Sequence, residues 1–243
     1  TPCGTLFPYT TLFRSQQGIP DTIIILGTQH TGYYKTALMK SGNWETPLGM
    51  VEIDKELSQK ILDEGPEIAE DDAAFNGYPH GREHNIEVQI PFLQYIAKKS
   101  GKTIKIIPIK IGDMKDEKLE KIAQNIAEAL KKAKKDIVVL ASSDMTHYQP
   151  KNPMNPSDEI ENVQYKKDHA VIDAFKANDW KKVYLNAQKT SVCGPQTITT
   201  FMLIANKLGY LQPEALTYYT SYEKQGKTPP CEYSVGYFSG IIR

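Results

Sequence analysis

The feature that most narrows the fold is a pair of short, almost wholly apolar runs, each followed by a loop that carries a histidine. Thr22-Ile23-Ile24-Ile25-Leu26 is β-branched through its centre and stops at Gly27, the pattern of a strand buried on both faces. Asp136-Ile137-Val138-Val139-Leu140-Ala141 repeats it. Strands of this kind belong to parallel sheets covered by helices, which usually place ligands in the loops at their carboxyl ends. The first run delivers Gly27-Thr28-Gln29-His30-Thr31-Gly32 to such a loop, and the second delivers Ser142-Ser143-Asp144-Met145-Thr146-His147. The expected class is therefore α/β, with a mixed, mainly parallel central sheet flanked by helices.

Around these two strands, apolar periodicity predicts helices over residues 54–64, 83–100, 117–134, 159–176, 180–188 and 196–208, and strands over 103–111, 215–221 and 233–242. In the second helix Ile86, Ile90, Leu93 and Ala97 form the buried stripe, and Pro91 inside it predicts a kink. Residues 148–157 hold Pro150, Pro153 and Pro156 and read as an irregular loop. Residues 1–17 have no clear period, and Pro8-Tyr9-Thr10-Thr11-Leu12-Phe13-Arg14-Ser15 resembles translated sequencing-adaptor sequence. They are expected to be non-native, with the genuine chain starting near Gln16, truncated at its amino end, and forming one domain over 18–243.

Lys plus Arg equals Asp plus Glu, at 29 each, so no global field draws the chain to phosphate backbones or anionic lipid. Nucleic acid is not an expected partner. The three cysteines, Cys3, Cys193 and Cys231, show no CxxC spacing, which speaks against a disulfide framework and for a reducing, cytoplasmic setting. No apolar run approaches the ~20 residues of a membrane span. A phosphate-binding GxxxxGK[ST] loop, a GxGxxG after a strand and a GxSxG elbow are all missing, which removes most of the case for nucleotide, dinucleotide and serine-hydrolase chemistry.

The two strand-end histidines, His30 and His147, are candidates for metal ligation or proton transfer, with Asp144 three residues before His147. His80 and His84 have i, i+4 spacing, but Pro79 and Gly81 oppose a helix through both. Glu83 and His84 are assigned to the pocket, and Glu87 to a supporting ion pair. Cys193-Gly194-Pro195 precedes a helix, where a thiol can be activated, although a tight turn with a buried thiol is the preferred reading. Cys231 is open between a metal thiolate and an exposed bystander.

Five segments in series carry a resemblance: Ile25-Leu26-Gly27-Thr28-Gln29-His30, Glu83-His84-Asn85-Ile86-Glu87-Val88-Gln89-Ile90-Pro91-Phe92, Ser142-Ser143-Asp144-Met145-Thr146-His147, Val192-Cys193-Gly194 and Ser234-Val235-Gly236-Tyr237. In this order they resemble the motifs of Memo proteins, often labelled AmmeMemoRadiSam system protein B, from about Asp21 to Arg243. The resemblance implies a fold similar to class III extradiol dioxygenases and a pocket of two histidines and a cysteine that binds iron or copper. It makes His30 a metal ligand and Asp144 and His147 the neighbouring acid/base pair, with Cys231 as the candidate thiolate. The family's Pro-His-Ala-Gly-Tyr motif is absent, and Cys231 lies several residues beyond the family's cysteine position, near 225–227. The implied function is a non-heme metal-dependent oxidoreductase resembling a dioxygenase; the alternative is a non-catalytic module that binds a small molecule or peptide. The family label also implies a radical-SAM enzyme and an AMMECR-type protein as partners.

Overall fold

The computed structural model describes residues 18–30, 35–76 and 84–243. Strand β1 (Thr22–Thr28) is buried at every position, because it is paired on both edges and covered on both faces. Besides β1, the strands of its sheet are β2 (Thr36–Leu38), β3 (Asn43–Thr46), β4 (Gly49–Ile53), β5 (Ile68–Glu70), β6 (Lys105–Ile111) and β7 (Ile137–Ala141). β1 runs parallel to β6 on one side and to β7 on the other. The sheet order is β3-β4-β6-β1-β7, with β4 parallel to β6 and β3 closing an antiparallel hairpin on β4. β2 pairs with the far end of β6 and with β5. The expected mixed, mainly parallel sheet is what forms.

The longer helices among the described residues are α1 (Lys55–Asp63), α2 (Ile90–Lys99), α3 (Asp116–Lys132), α4 (Tyr165–Lys176), α5 (Trp180–Gln188) and α6 (Pro195–Lys207). Alternate side chains of β1 point to opposite faces. Ile23 and Ile25 join Ile90 and Ala97 of α2 in one core. Ile24 and Leu26 meet Leu57 and Ile61 of α1, Leu119, Ile122 and Ile126 of α3, and Leu203 of α6 in the other. Each such side chain contributes roughly 1.5–3 kcal/mol by leaving water, so the run that reads as a buried strand is also the spine of two cores.

Pro91 does not kink a helix. A 3-10 turn at Glu87–Gln89 leads into α2, which starts at Ile90 and so places Pro91 in its first turn. There its missing N–H has no intrahelical partner to lose. The short strands β2 to β5 are additions to the expected element list.

A second, antiparallel sheet is built from β8 (His147–Tyr148), β9 (Pro213–Thr220) and β10 (Ser234–Ile242), in the order β9-β10-β8. Its core gathers Met145, Val171, Phe175, Val183, Met202 and Phe238. Because Val235 pairs with His147, the loop that leaves the first sheet at Ala141 is stitched into the second six residues later. Among the described residues, no helix is long and apolar enough to cross a membrane.

Candidate metal centre

The register of β1 and β7 sets Leu26 beside Ala141, so the two strand-end loops leave the sheet side by side. Polar contacts weld them together. The Ser142 N–H donates to the Leu26 carbonyl at 2.9 Å, and the Ser142 hydroxyl donates to the Asn85 carbonyl at 2.7 Å while accepting from Gln89 Nε2 at 2.8 Å. Asn85 Nδ2 donates in turn to the Thr28 carbonyl at 2.7 Å. Thr197 on α6 donates to the Gly27 carbonyl at 3.1 Å and lies 3.0 Å from Thr28 Oγ1.

Gly194 lets the amino end of α6 reach this junction. A Cβ there would lie 2.1 Å from Thr28 Oγ1 and 2.8 Å from Ser143 Oγ, so any side chain would push the helix away. The residue before it is thereby pressed onto the second loop. Cys193 Sγ accepts the Asp144 N–H at 3.0 Å and sits 3.6 Å from Ser143 Oγ.

His147 completes the group. Its Nδ1 is 2.5 Å from the Tyr233 hydroxyl, with the two rings edge to face at 84°. Its Nε2 lies 3.3 Å from Asp144 Oδ2, yet is buried and makes no hydrogen bond. One donor atom each from Asp144, His147 and Cys193 lies within 4.8 Å of the others. Tetrahedral ligands on bonds of about 2.0–2.3 Å are roughly 3.3–3.8 Å apart, so the Asp144–His147 separation already matches one edge and modest movement of the sulfur closes the rest.

The backbone beneath the group is held by a buried carboxylate. Asp168 on α4 is fully buried. Burial lifts its carboxyl above the ordinary 3.8, against the pull of hydrogen bonds from Thr146 and Tyr218. Burial, and then the neighbouring Asp168 charge, push the Tyr218 phenol far above its usual range.

Of the residues singled out from sequence, Asp144 and His147 meet in this group. His30 and His84 lie on the adjoining loops, with rings stacked at 5.0 Å and 21°, and Asn85 Nδ2 3.5 Å from His30 Nδ1; neither belongs to the three-donor group. Glu83 lies outside the described residues. Cys231 is not an exposed bystander: it is 3% exposed, packs with Ile160 and Tyr222, and directs its sulfur to the Tyr233 carbonyl at 3.6 Å. Burial raises its thiol pKa. The cysteine in the group is Cys193, which the preferred reading of its motif had made a turn residue. The available signal was its position just ahead of a helix amino terminus.

Comparison with known proteins bears on the family of the chain. A family model described as Memo-like protein matches residues 8–241. A MEMO1 family protein of Pyrococcus furiosus is 36% identical over 236 residues, covering 94% of this chain and 78% of that protein. Relatives of the same description from Sulfolobus acidocaldarius and Desulfurococcus amylolyticus are 37% and 39% identical, covering 93% and 85% of this chain and 72% and 68% of their own. A solved structure of an uncharacterized Escherichia coli K12 protein aligns over 94% of this chain and 91% of its own, with 10% identity and a TM-score of 0.49. On the sequence matches, the chain belongs to the Memo family.

Proposed function

We propose that this chain is a metal-dependent oxidoreductase of dioxygenase-like type, in which Asp144, His147 and Cys193 hold an iron or copper ion. The observation that carries the reading is the His147 Nε2 atom, buried and without a hydrogen bond, beside a carboxylate and a sulfur within 4.8 Å. A buried polar atom without a hydrogen bond costs up to about 1–3 kcal/mol; the Asp144 oxygen lies 3.3 Å away without hydrogen-bond alignment, and a cation between the two would give both atoms a partner. Imidazole, thiolate and carboxylate together suit a first-row transition ion better than magnesium or calcium. Three protein ligands with an open position are the usual form of a catalytic site.

The chain's own residues prepare the site in identifiable ways. Tyr233 engages His147 Nδ1, and with the imidazole proton held on that nitrogen the Nε2 lone pair faces Asp144 and Cys193. The Asp144 N–H braces the Cys193 sulfur. A bound redox metal would supply electron transfer between dioxygen and an organic substrate. His30 and His84 stand on the neighbouring loops, where they are suited to orient a substrate or carry its proton.

The test is oxygen consumption by protein loaded with iron(II) or copper, screened against phenolic and other small aromatic substrates. Turnover that disappears in H147A and on chelation supports the proposal. A second reading, a non-catalytic pocket for a small molecule or peptide, draws on the exposed face of Tyr233, 43% accessible at the rim. Ligand binding that survives chelation, without turnover, would favour it.

A further inference from the structure

Of the two residues that link Asp144 to His147 along the chain, Thr146 is gripped from behind by its backbone. Thr146 is fully buried, and both polar groups of its backbone are used. Its N–H donates to Asp168 Oδ1 at 2.9 Å. Its carbonyl accepts from Gln164 Nε2 and from the Gly236 N–H, both at 3.0 Å. Gln164 and Asp168 lie one helical turn apart, so they face the same side. Gln164 is the last residue of a π-helical segment, Ile160–Gln164, that runs into α4. Such wide turns are found disproportionately at functional sites.

On its other oxygen, Asp168 accepts the Tyr218 hydroxyl at 2.6 Å. The second sheet leaves room for the carboxylate only because position 236 is glycine: a Cβ there would lie 2.1 Å from Asp168 Oδ2. Gly236 also returns a bond, its carbonyl accepting the Met145 N–H at 3.0 Å. Burying a carboxylate is costly, and an apolar residue in α4 would fill the same space without that cost. The geometry is that of a clamp on the two successive peptides that meet at Thr146, with His147 next in the chain and Asp144 two residues before.

We propose that Asp168, oriented by Tyr218, is a positioning residue for the Asp144–His147–Cys193 group, fixing the Thr146 backbone so that Asp144 before it and His147 after it converge. This rests on the metal reading of that group. Metal-binding proteins commonly fix their ligands through such outer contacts, whose loss costs about 10–100-fold in affinity. D168L keeps about the size of the side chain but removes both acceptor oxygens, so the Thr146 N–H and the Tyr218 hydroxyl each lose their partner.

The experiment titrates Co2+ into the wild-type chain, D168L and Y218F, following the sulfur-to-cobalt absorption. Alongside it, amide exchange at Thr146 and the side-chain NMR shifts of Asp144 and His147 are recorded without metal. D168L is expected to bind cobalt at least about tenfold more weakly with an altered spectrum, to lose protection at Thr146, and to shift both side chains. Y218F, which removes a single hydroxyl, should do the same to a smaller degree and decides the matter if D168L does not fold. Wild-type cobalt affinity and unmoved shifts in a folded D168L, or failing that in Y218F, would overturn the assignment. If wild-type protein itself takes no cobalt, the metal reading fails, while the metal-free exchange and shifts still decide whether Asp168 positions the loop.

Discussion

At the scale of single residues, the site depends on close approaches that only particular side chains allow. Gly194 brings the amino end of α6 against Thr28 and Ser143, and Cys193 owes its place beside Asp144 to that approach. G194A is therefore expected to destabilise the fold by about 1–3 kcal/mol through overpacking, and to weaken metal binding by displacing the sulfur; denaturant melts and a metal titration check both. Tyr233 acts from the opposite side, through His147 Nδ1. Y233F should leave thermal stability nearly unchanged, since the residue is 43% exposed, yet lower metal affinity about tenfold by releasing the imidazole orientation. Equal affinity in Y233F and wild type would remove Tyr233 from the account. Asp144 and His147 could be singled out from sequence because they follow a recognisable strand. The place of Cys193 just ahead of a helix was the one local signal in its favour over Cys231, and it could not decide the choice, which depends on which loop the fold brings back to β7.

At the scale of elements, sequence and structure agree where a segment is long and its period clear. β1, β6, β7, α1 and α3 to α6 carried enough apolar repetition to be read, whereas the helix expected over 83–100 forms only from Ile90 as α2. β2 and β5 have three residues each, too few for a period to show. The β3–β4 hairpin alternates burial weakly, and its turn depends on Gly49 at φ +104°. Pro91 was misread because a proline inside a periodic stretch marks either a kink or a beginning, and only the 3-10 turn ahead of it distinguishes the two. Asp54 shows how one element is anchored. It caps α1 through the Leu57 N–H at 3.1 Å, accepts from Thr22 at 2.6 Å and pairs with Lys135 at 2.9 Å. Burial works to raise its carboxyl, but the hydrogen bonds from Thr22, Lys135 and Leu57 prevail and hold it below the ordinary 3.8. The folded state thus favours the charged form, and the resulting stability is present above that ordinary value and lost as pH falls through the lower folded one. D54N, which keeps the capping oxygen, should cost about 1–2 kcal/mol near neutrality. In urea melts across the acid range the gap to wild type should close at low pH. A gap independent of pH would show that the charge contributes nothing.

At the scale of the whole molecule, the candidate centre lies where two sheets of different character meet. The parallel sheet supplies the Asp144 loop, the antiparallel sheet fixes its far end by pairing His147 with Val235, and α6 brings Cys193 across from a third segment. Membership of the Memo family was readable from ordered motifs alone, because motifs survive as short strings. The composition of the candidate group was not, since it is assembled from residues up to 49 positions apart. The most direct measurement is a calorimetric titration of iron(II) and copper into the wild-type chain, C193S and C231S. The account predicts that wild type and C231S bind alike, while C193S loses at least about tenfold in affinity, as removal of a metal contact should. Binding that is indifferent to Cys193, or that depends on Cys231 instead, would contradict it.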